Sequence, residues 1–363
     1  MEFVNSTPVP AHLSVMAGLR PEQRGALVTA KATFLVTKDG QVSLDRESPI
    51  EIYEYDQESE TGLLPADVQT KLGSRFEVMV LGSAHSPTGK PVPEVLVQLA
   101  VGDEHRAIVV SGDRYWEGAG EDARVGAPES FLSMPMIWER TFGGSVEVEI
   151  DENAFVDIAD ARNREGKGFD HLAHVQSLDD AFKCPDGYPK FSQRRPLPNL
   201  EDPEARVNAW SDEPLAVCWA PSPSASGIFL ERLRRRYGDS PPQEPKMDDP
   251  MLQERAHPDW IIDTPPEKAV VRLTGMCPHG AELAFNLPRA RAIAEIRIGK
   301  HKREAELHPQ ALILLPEERR FCLVFRGGQR YRYTEDEERM VRFRVDRGWV
   351  PARKPGPKGV ETA

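Results

Sequence analysis

Two histidines three residues apart, His171 and His174, would share one face of a helix, and Asp170 beside them could add a carboxylate for a metal. No HExxH motif accompanies them and the nearby Asp179-Asp180 pair lies in a polar stretch, so two surface histidines are the simpler reading. The four cysteines, Cys184, Cys218, Cys277 and Cys322, form no CxxC pair, which argues against a zinc knuckle or a thioredoxin-type centre. Cys218 sits in the apolar run from Leu215 to Trp219 and has no local base or electropositive setting, so it and Cys322 read as core residues rather than nucleophiles. Carboxylate pairs such as Asp151-Glu152, Glu201-Asp202 and Asp248-Asp249 could serve as acid and base of a glycosidase, but solvated acidic loops explain them equally. The glycines between Gly118 and Gly126 do not form GxGxxG, and neither a phosphate-cradling P-loop nor a G-x-S-x-G elbow occurs. No catalytic, metal or cofactor-binding residue is assigned.

A different signal stands out where Trp, Met, Arg and Phe concentrate, around Trp116 and again at Met134, Met136, Trp138, Arg140 and Phe142. Such side chains dominate protein–protein hot spots, which makes these six the candidate partner-binding residues. Asp113, Arg114 and Glu139, with Asn199, Glu201 and Asp202 further on, are charged or polar groups able to tie loops together or to face a partner. The alternative is that the aromatics plug a sheet and the ion pairs brace it.

The elements that must position these residues read as strands. From Gly25 to Thr37, Val28, Ala30, Ala32, Phe34 and Val36 alternate with Leu27, Thr29, Lys31, Thr33 and Leu35, the period of a strand with one packed face. Asp39-Gly40 then signals a turn, with Gln41 to Leu44 returning as a hairpin partner. Further strand character lies at Phe76 to Leu81, Val95 to Val101 and Arg106 to Ser111. It resumes at Ala269 to Leu273, Glu282 to Leu287, Ile293 to Ile298, Ala311 to Leu315 and Phe321 to Phe325. With no helical pattern between the early strands, antiparallel pairing is expected. One amphipathic helix is expected at Gly227 to Tyr237, where Ile228, Leu230, Leu233 and Tyr237 form a stripe.

At 363 residues, 39% hydrophobic and 29% charged, the chain can bury one large or two smaller cores. Its 32 prolines and 27 glycines imply many turns and long loops. A formal net charge of −12 disfavours nucleic acid and anionic lipid as partners. No apolar run approaches bilayer length and the start lacks a basic-then-apolar leader, so a cytoplasmic location with reduced thiols is expected. The expected architecture is mainly β, with antiparallel sheets in a two-lobed, β-sandwich-like arrangement carrying long loops and a few short helices. Residues 1–150 form an N-terminal β-rich lobe, 151–266 a loop-rich middle with short helices, 267–329 a C-terminal β-rich lobe, and 330–363 a charged extension with a mobile tail.

Several ordered blocks carry a family resemblance: Lys31-Ala32-Thr33-Phe34, Gly82 to Pro91, Gly112-Asp113-Arg114, Met134-Pro135 with Trp138 to Gly144, Asn163 to Phe169, and Leu197 to Pro203. The chain resembles, over roughly residues 12–330, a bacterial family named only as a domain of unknown function. Its members are similar to type VI secretion adaptors encoded beside spike proteins and effectors. The region after Pro203 and the end from Arg330 depart from the pattern. The resemblance implies a non-catalytic adaptor or chaperone that holds a secreted effector and helps load it onto the VgrG spike, with the effector, the spike or both as partners, in the cytoplasm of a Gram-negative bacterium, and it supplies no catalytic residues. Two other readings are a cell-wall-directed hydrolase using carboxylates in a cleft between the lobes, and a structural component of the secretion tail.

Overall fold

The structure, a computed structural model, describes residues 1–18, 20, 22–68, 75–117, 124–151, 154–169, 195–209, 211–222, 254–263, 268–335 and 337–345. The histidine pair at 171 and 174, the helix expected at 227–237 and the tail 351–363 lie outside the described residues.

The strands of the two principal sheets, numbered along the chain, are β1 (Glu2–Asn5), β2 (Ala11–Ala17), β3 (Gln23–Val36), β4 (Val42–Leu44), β5 (Phe76–Val80), β6 (Glu94–Val101), β7 (Glu104–Ser111), β8 (Leu200–Glu201), β9 (Ile261–Ile262), β10 (Val270–Thr274), β11 (Leu283–Asn286), β12 (Ala292–Ile298), β13 (His301–Leu315), β14 (Arg320–Arg332) and β15 (Arg339–Val345). Among the described residues the helical elements are 3-10 turns at Trp138–Arg140, Pro258–Trp260 and Pro278–Gly280. The protein is therefore mainly β, as its alternating patterns require.

The larger, ten-stranded sheet is nearly closed and barrel-like, running β1-β15-β12-β13-β14-β3-β2. β4 folds back on β3 in the hairpin announced by Asp39-Gly40, and β5 pairs with β13 in parallel and with β9. Two features break the regularity of this sheet. β13 carries an irregularity between Pro309 and Ala311, where proline has no N–H to donate. At Gly327, β14 passes so close to β13 that a Cβ would lie 2.5 Å from the Glu306 carbonyl oxygen, a distance only glycine tolerates. The smaller sheet is antiparallel throughout, in the order β8-β7-β6-β10-β11.

The two sheets share one core. Val95, Val97, Leu99 and Val101 of β6 point into it while Leu96 and Gln98 point out. The rings of Phe285 from β11 and Phe321 from β14 stack with centroids 4.4 Å apart, and Phe321 stacks in turn on Phe34 of β3 at 4.9 Å.

The division expected at residue 150 does not separate the sheets. β3 pairs with β14 along its whole length, β5 with β13, and β6 with β10, so both sheets combine strands from the first and last thirds of the chain. The extension expected from residue 330 is also partly strand, because β14 runs on to Arg332 and β15 inserts between β1 and β12. β3 departs from expectation in a third way: Thr29, Lys31 and Thr33 are as buried as Val28, Ala30 and Ala32, since residues 45–68 cover the second face.

Candidate functional site

Four of the blocks singled out in the sequence converge at one end of β7. Residues Gly112 to Arg114 leave that strand, Leu197 to Glu201 run back alongside it, and the turn Trp138–Arg140 packs against both. The joining backbone bonds are Ser111 N–H to the Asn199 carbonyl at 2.8 Å, Leu197 N–H to the Arg114 carbonyl at 2.9 Å and Asn199 N–H to the Arg140 carbonyl at 2.8 Å. The ribbon Phe142–Gly143 lies parallel to Lys167–Gly168, which brings the block from Asn163 to Phe169 into the same place.

Local chemistry explains why these segments meet. The buried Asn163 amide donates to the Trp138 carbonyl at 3.0 Å, the Thr141 hydroxyl at 2.7 Å and the Phe142 carbonyl at 3.1 Å, tying the turn to the segment that lies opposite it. Gly143 follows at φ 141°, where a Cβ would sit 2.1 Å from the Asn163 carbonyl oxygen, so the close crossing requires glycine.

The charges form two linked clusters. In the outer one, Asp113 accepts from the Asn199 amide at 3.0 Å, Lys167 at 3.3 Å and Arg140 at 3.5 Å, while Arg140 also donates to the Asn199 side-chain oxygen at 3.1 Å. In the inner one, Arg114 and Glu201 form a buried ion pair. Arg114 also reaches the Pro198 carbonyl at 3.2 Å, and Glu201 takes the Val207 N–H at 2.9 Å and Arg206 at 3.3 Å. Arg206 extends the network to Glu94, which accepts from the Ser111 hydroxyl at 2.9 Å.

Titration follows from these contacts. Partial burial pushes Asp113 up, but the Asn199 amide and the Lys167 ammonium more than offset it and hold the carboxyl below its ordinary range. Burial lowers Lys167, and Arg140 and Arg114 lower it further against the pull of Asp113, leaving the ammonium below its usual value. Burial also raises Glu94, yet Arg206 and Ser111 bring it below the normal carboxylate value.

The candidate anchors are mostly internal. Met134, Met136 and Trp138 belong to the main core, where the Trp138 indole N–H donates to the carbonyls of Ala220 and Pro221 at 3.0 and 3.1 Å. Trp116 and Phe142 build a smaller apolar cluster with Leu197 and Val207. These five side chains plug the sheets and do not face solvent, which corrects their reading as contact residues. The physical reason is that the adjacent loops supply enough apolar surface to enclose them. Arg140 is half-buried and tied to Asp113, Glu139 is exposed, and Asp202 caps the turn that follows β8 through the Glu204 N–H at 2.8 Å.

Lys167, Arg206, Glu94, Ser111 and Asn163 were not named as functional candidates from sequence. Lys167 and Asn163 stood within a flagged block, but Glu94 and Ser111 become neighbours of Glu201 only through strand pairing. Cys218 and Cys322 are buried, which pushes their thiols up to about 12 and about 11 and leaves them protonated. Among the described residues no group of His, Cys, Asp and Glu is arranged to hold a metal, and no helix is long and apolar enough to cross a membrane.

A family model described as an uncharacterized protein conserved in bacteria, DUF2169, matches residues 22–326. The chain belongs to this family. The DUF2169 region opens just before β3 and closes within β14, so it contains every block of the site, whereas β1, β2 and β15 complete the large sheet from outside it. No curated protein and no solved structure matches the chain.

Proposed function

We propose that this DUF2169 protein is a non-catalytic adaptor that binds a secreted effector and helps load it onto the VgrG spike of a type VI secretion system, working in the cytoplasm. The observation that carries this reading is the self-compensation of the site. Asp113, Glu201 and Glu94 are each held by cations of the same network, and the aromatic side chains beside them are enclosed. A network of this kind fixes the course of several loops at once and leaves their outer surfaces to make contacts. With Trp116, Met134, Met136, Trp138 and Phe142 internal, the contact surface is assigned to exposed groups nearby. Leu96 on the outer face of the small sheet, Leu132 before Ser133–Pro135, and Leu215 are its apolar candidates.

The test is co-purification of the tagged full-length protein with the products of its neighbouring genes. A stable complex with an effector or a spike protein is the expected result, and repeated recovery of the protein alone overturns the reading. The net charge of −12 adds an expectation for kinetics: a basic effector region associates quickly at low salt and more slowly as salt rises. A flat salt dependence removes that electrostatic part.

A further inference from the structure

Residues 45–68 form a strap: Asp45, Ser48, Ile50, Tyr53 and Asp67 lie over β3 and β14, while its middle reaches Arg255 and lies beside Leu81, Ile137 and Ala220. Its hairpin, Gln57–Ser59 with Gly62–Leu64, is a ribbon of its own and joins neither principal sheet. The segment holds eight carboxylates and one cation, Arg46, so it carries a formal −7 of the whole chain's −12.

The face beneath has the opposite character. Lys31 meets Asp67 at 2.8 Å, with both side chains 1% exposed, and its ammonium lies 4.6 Å from the centroid of the Tyr53 ring. Arg326, wholly buried, donates to the Asp67 backbone carbonyl at 2.8 and 3.1 Å. Arg320 pairs with Asp45 at 2.9 Å and also donates to the Ser48 carbonyl, and Arg255 pairs with Asp56. The Thr33 hydroxyl accepts from the Ile50 N–H at 2.8 Å. Thr29, cross-strand from Arg326, has a buried hydroxyl for which the strap provides no partner. This interface combines charge-matched polar contacts with a few apolar ones, since Ile50 and Leu64 of the strap pack against the main core. When such a cover lifts, water can take over its hydrogen bonds, and the cost falls on the contacts of Ile50 and Leu64.

We propose that the strap is the resident occupant of a binding face for an acidic, extended protein segment, and that a partner's segment supplying the same groups takes its place. The contacts specify a peptide rather than a nucleic acid. Arg320 and Arg326 take backbone carbonyls, and Thr33 takes a backbone N–H, a donor that a phosphodiester chain lacks. The inference rests on the adaptor reading only for the class of partner, and neither measurement below uses an effector or a spike. Failure of the co-purification therefore leaves these results standing, and their failure leaves the co-purification standing.

Hydrogen exchange on the unmodified full-length protein is the first test. The strap amides of Ile50, Tyr53 and Asp67 are expected to exchange about a hundredfold faster than Ala32 and Val324 beneath them, as a separately opening unit does. Equal protection of strap and sheet overturns the proposal. The second test titrates a labelled peptide with the sequence of residues 45–68 into full-length protein carrying Asp45→Asn, Asp56→Asn and Asp67→Asn. It is expected to bind the variant about tenfold more tightly than the unmodified protein, and about tenfold more tightly than a scrambled peptide of the same composition binds the variant. No binding, or equal binding of the scrambled peptide, overturns it. Should the triple variant lose its sheet, Asp56→Asn alone is used, at a partly exposed pin, with the same two outcomes deciding.

Discussion

Arg114 and Glu201 are almost fully withdrawn from water and face one another, so each is the other's main compensation for lost hydration. Removing one leaves a buried charge uncompensated. Arg114→Ala is expected to cost about 3–5 kcal/mol in urea denaturation, and the double variant Arg114→Met with Glu201→Leu to cost clearly less than the single one. Asp113 gives a pH signature. Its folded carboxyl titrates below the unfolded value, so its contribution is complete above about pH 4 and is lost as pH falls through the folded pKa. Asp113→Asn is expected to flatten the acid limb of a stability–pH profile, and an unchanged slope would contradict the assignment. Lys167 gives a slope of the same sign in a different pH window. Its folded pKa is also lowered, so the unfolded chain binds more protons near the lysine range and stability rises with pH there.

At the scale of elements, the site depends on short, irregular pieces held by side chains rather than by ladders. The two-residue ribbon Phe142–Gly143 can lie against Lys167–Gly168 only because Gly143 adopts φ 141° over the Asn163 carbonyl. Gly143→Ala is expected to destabilise by more than about 1 kcal/mol, measured by thermal or urea unfolding. Gly25→Ala, in β3, where a Cβ would meet only the Met16 methyl at 3.7 Å, is expected to fall within about 0.5 kcal/mol of the unmodified protein. A similar cost at both positions would show that backbone conformation is not what Gly143 supplies. The glycine pair of the Trp138–Gly144 block was visible as sequence. Its reason was not, because the obstructing carbonyl belongs to a residue twenty positions further along the chain.

For the whole molecule, interleaving of the first and last thirds sets how the chain can be cut. β3 pairs on one edge with β14 over thirteen registered positions, and its Phe34 lies in a ring stack completed by Phe321 and Phe285. A fragment of residues 1–150 keeps β3 but loses β14 and β13, leaving a long apolar strand without its partner. It is expected to lack dispersed amide signals in NMR and a cooperative unfolding transition. A folded fragment would mean that the first 150 residues form an independent unit after all.

By itself the sequence determined the strand content, the β3–β4 hairpin and the presence of a large buried core. These follow from local properties: side chains alternate with period two along a strand, and Asp-Gly favours a tight turn. It also marked the blocks that meet at the site, since Trp, Gly, Asn and paired charges cluster unusually there. Only the tertiary structure decided that Trp138 and Phe142 point inward, that Glu94 joins the Arg114–Glu201 pair, and that Lys31 on the second face of β3 is covered by an acidic strap. Each of these depends on which distant segment lies opposite. Strand pairing and long-range burial set that choice, and one-dimensional periodicity fixes the face of a strand without naming what will cover it.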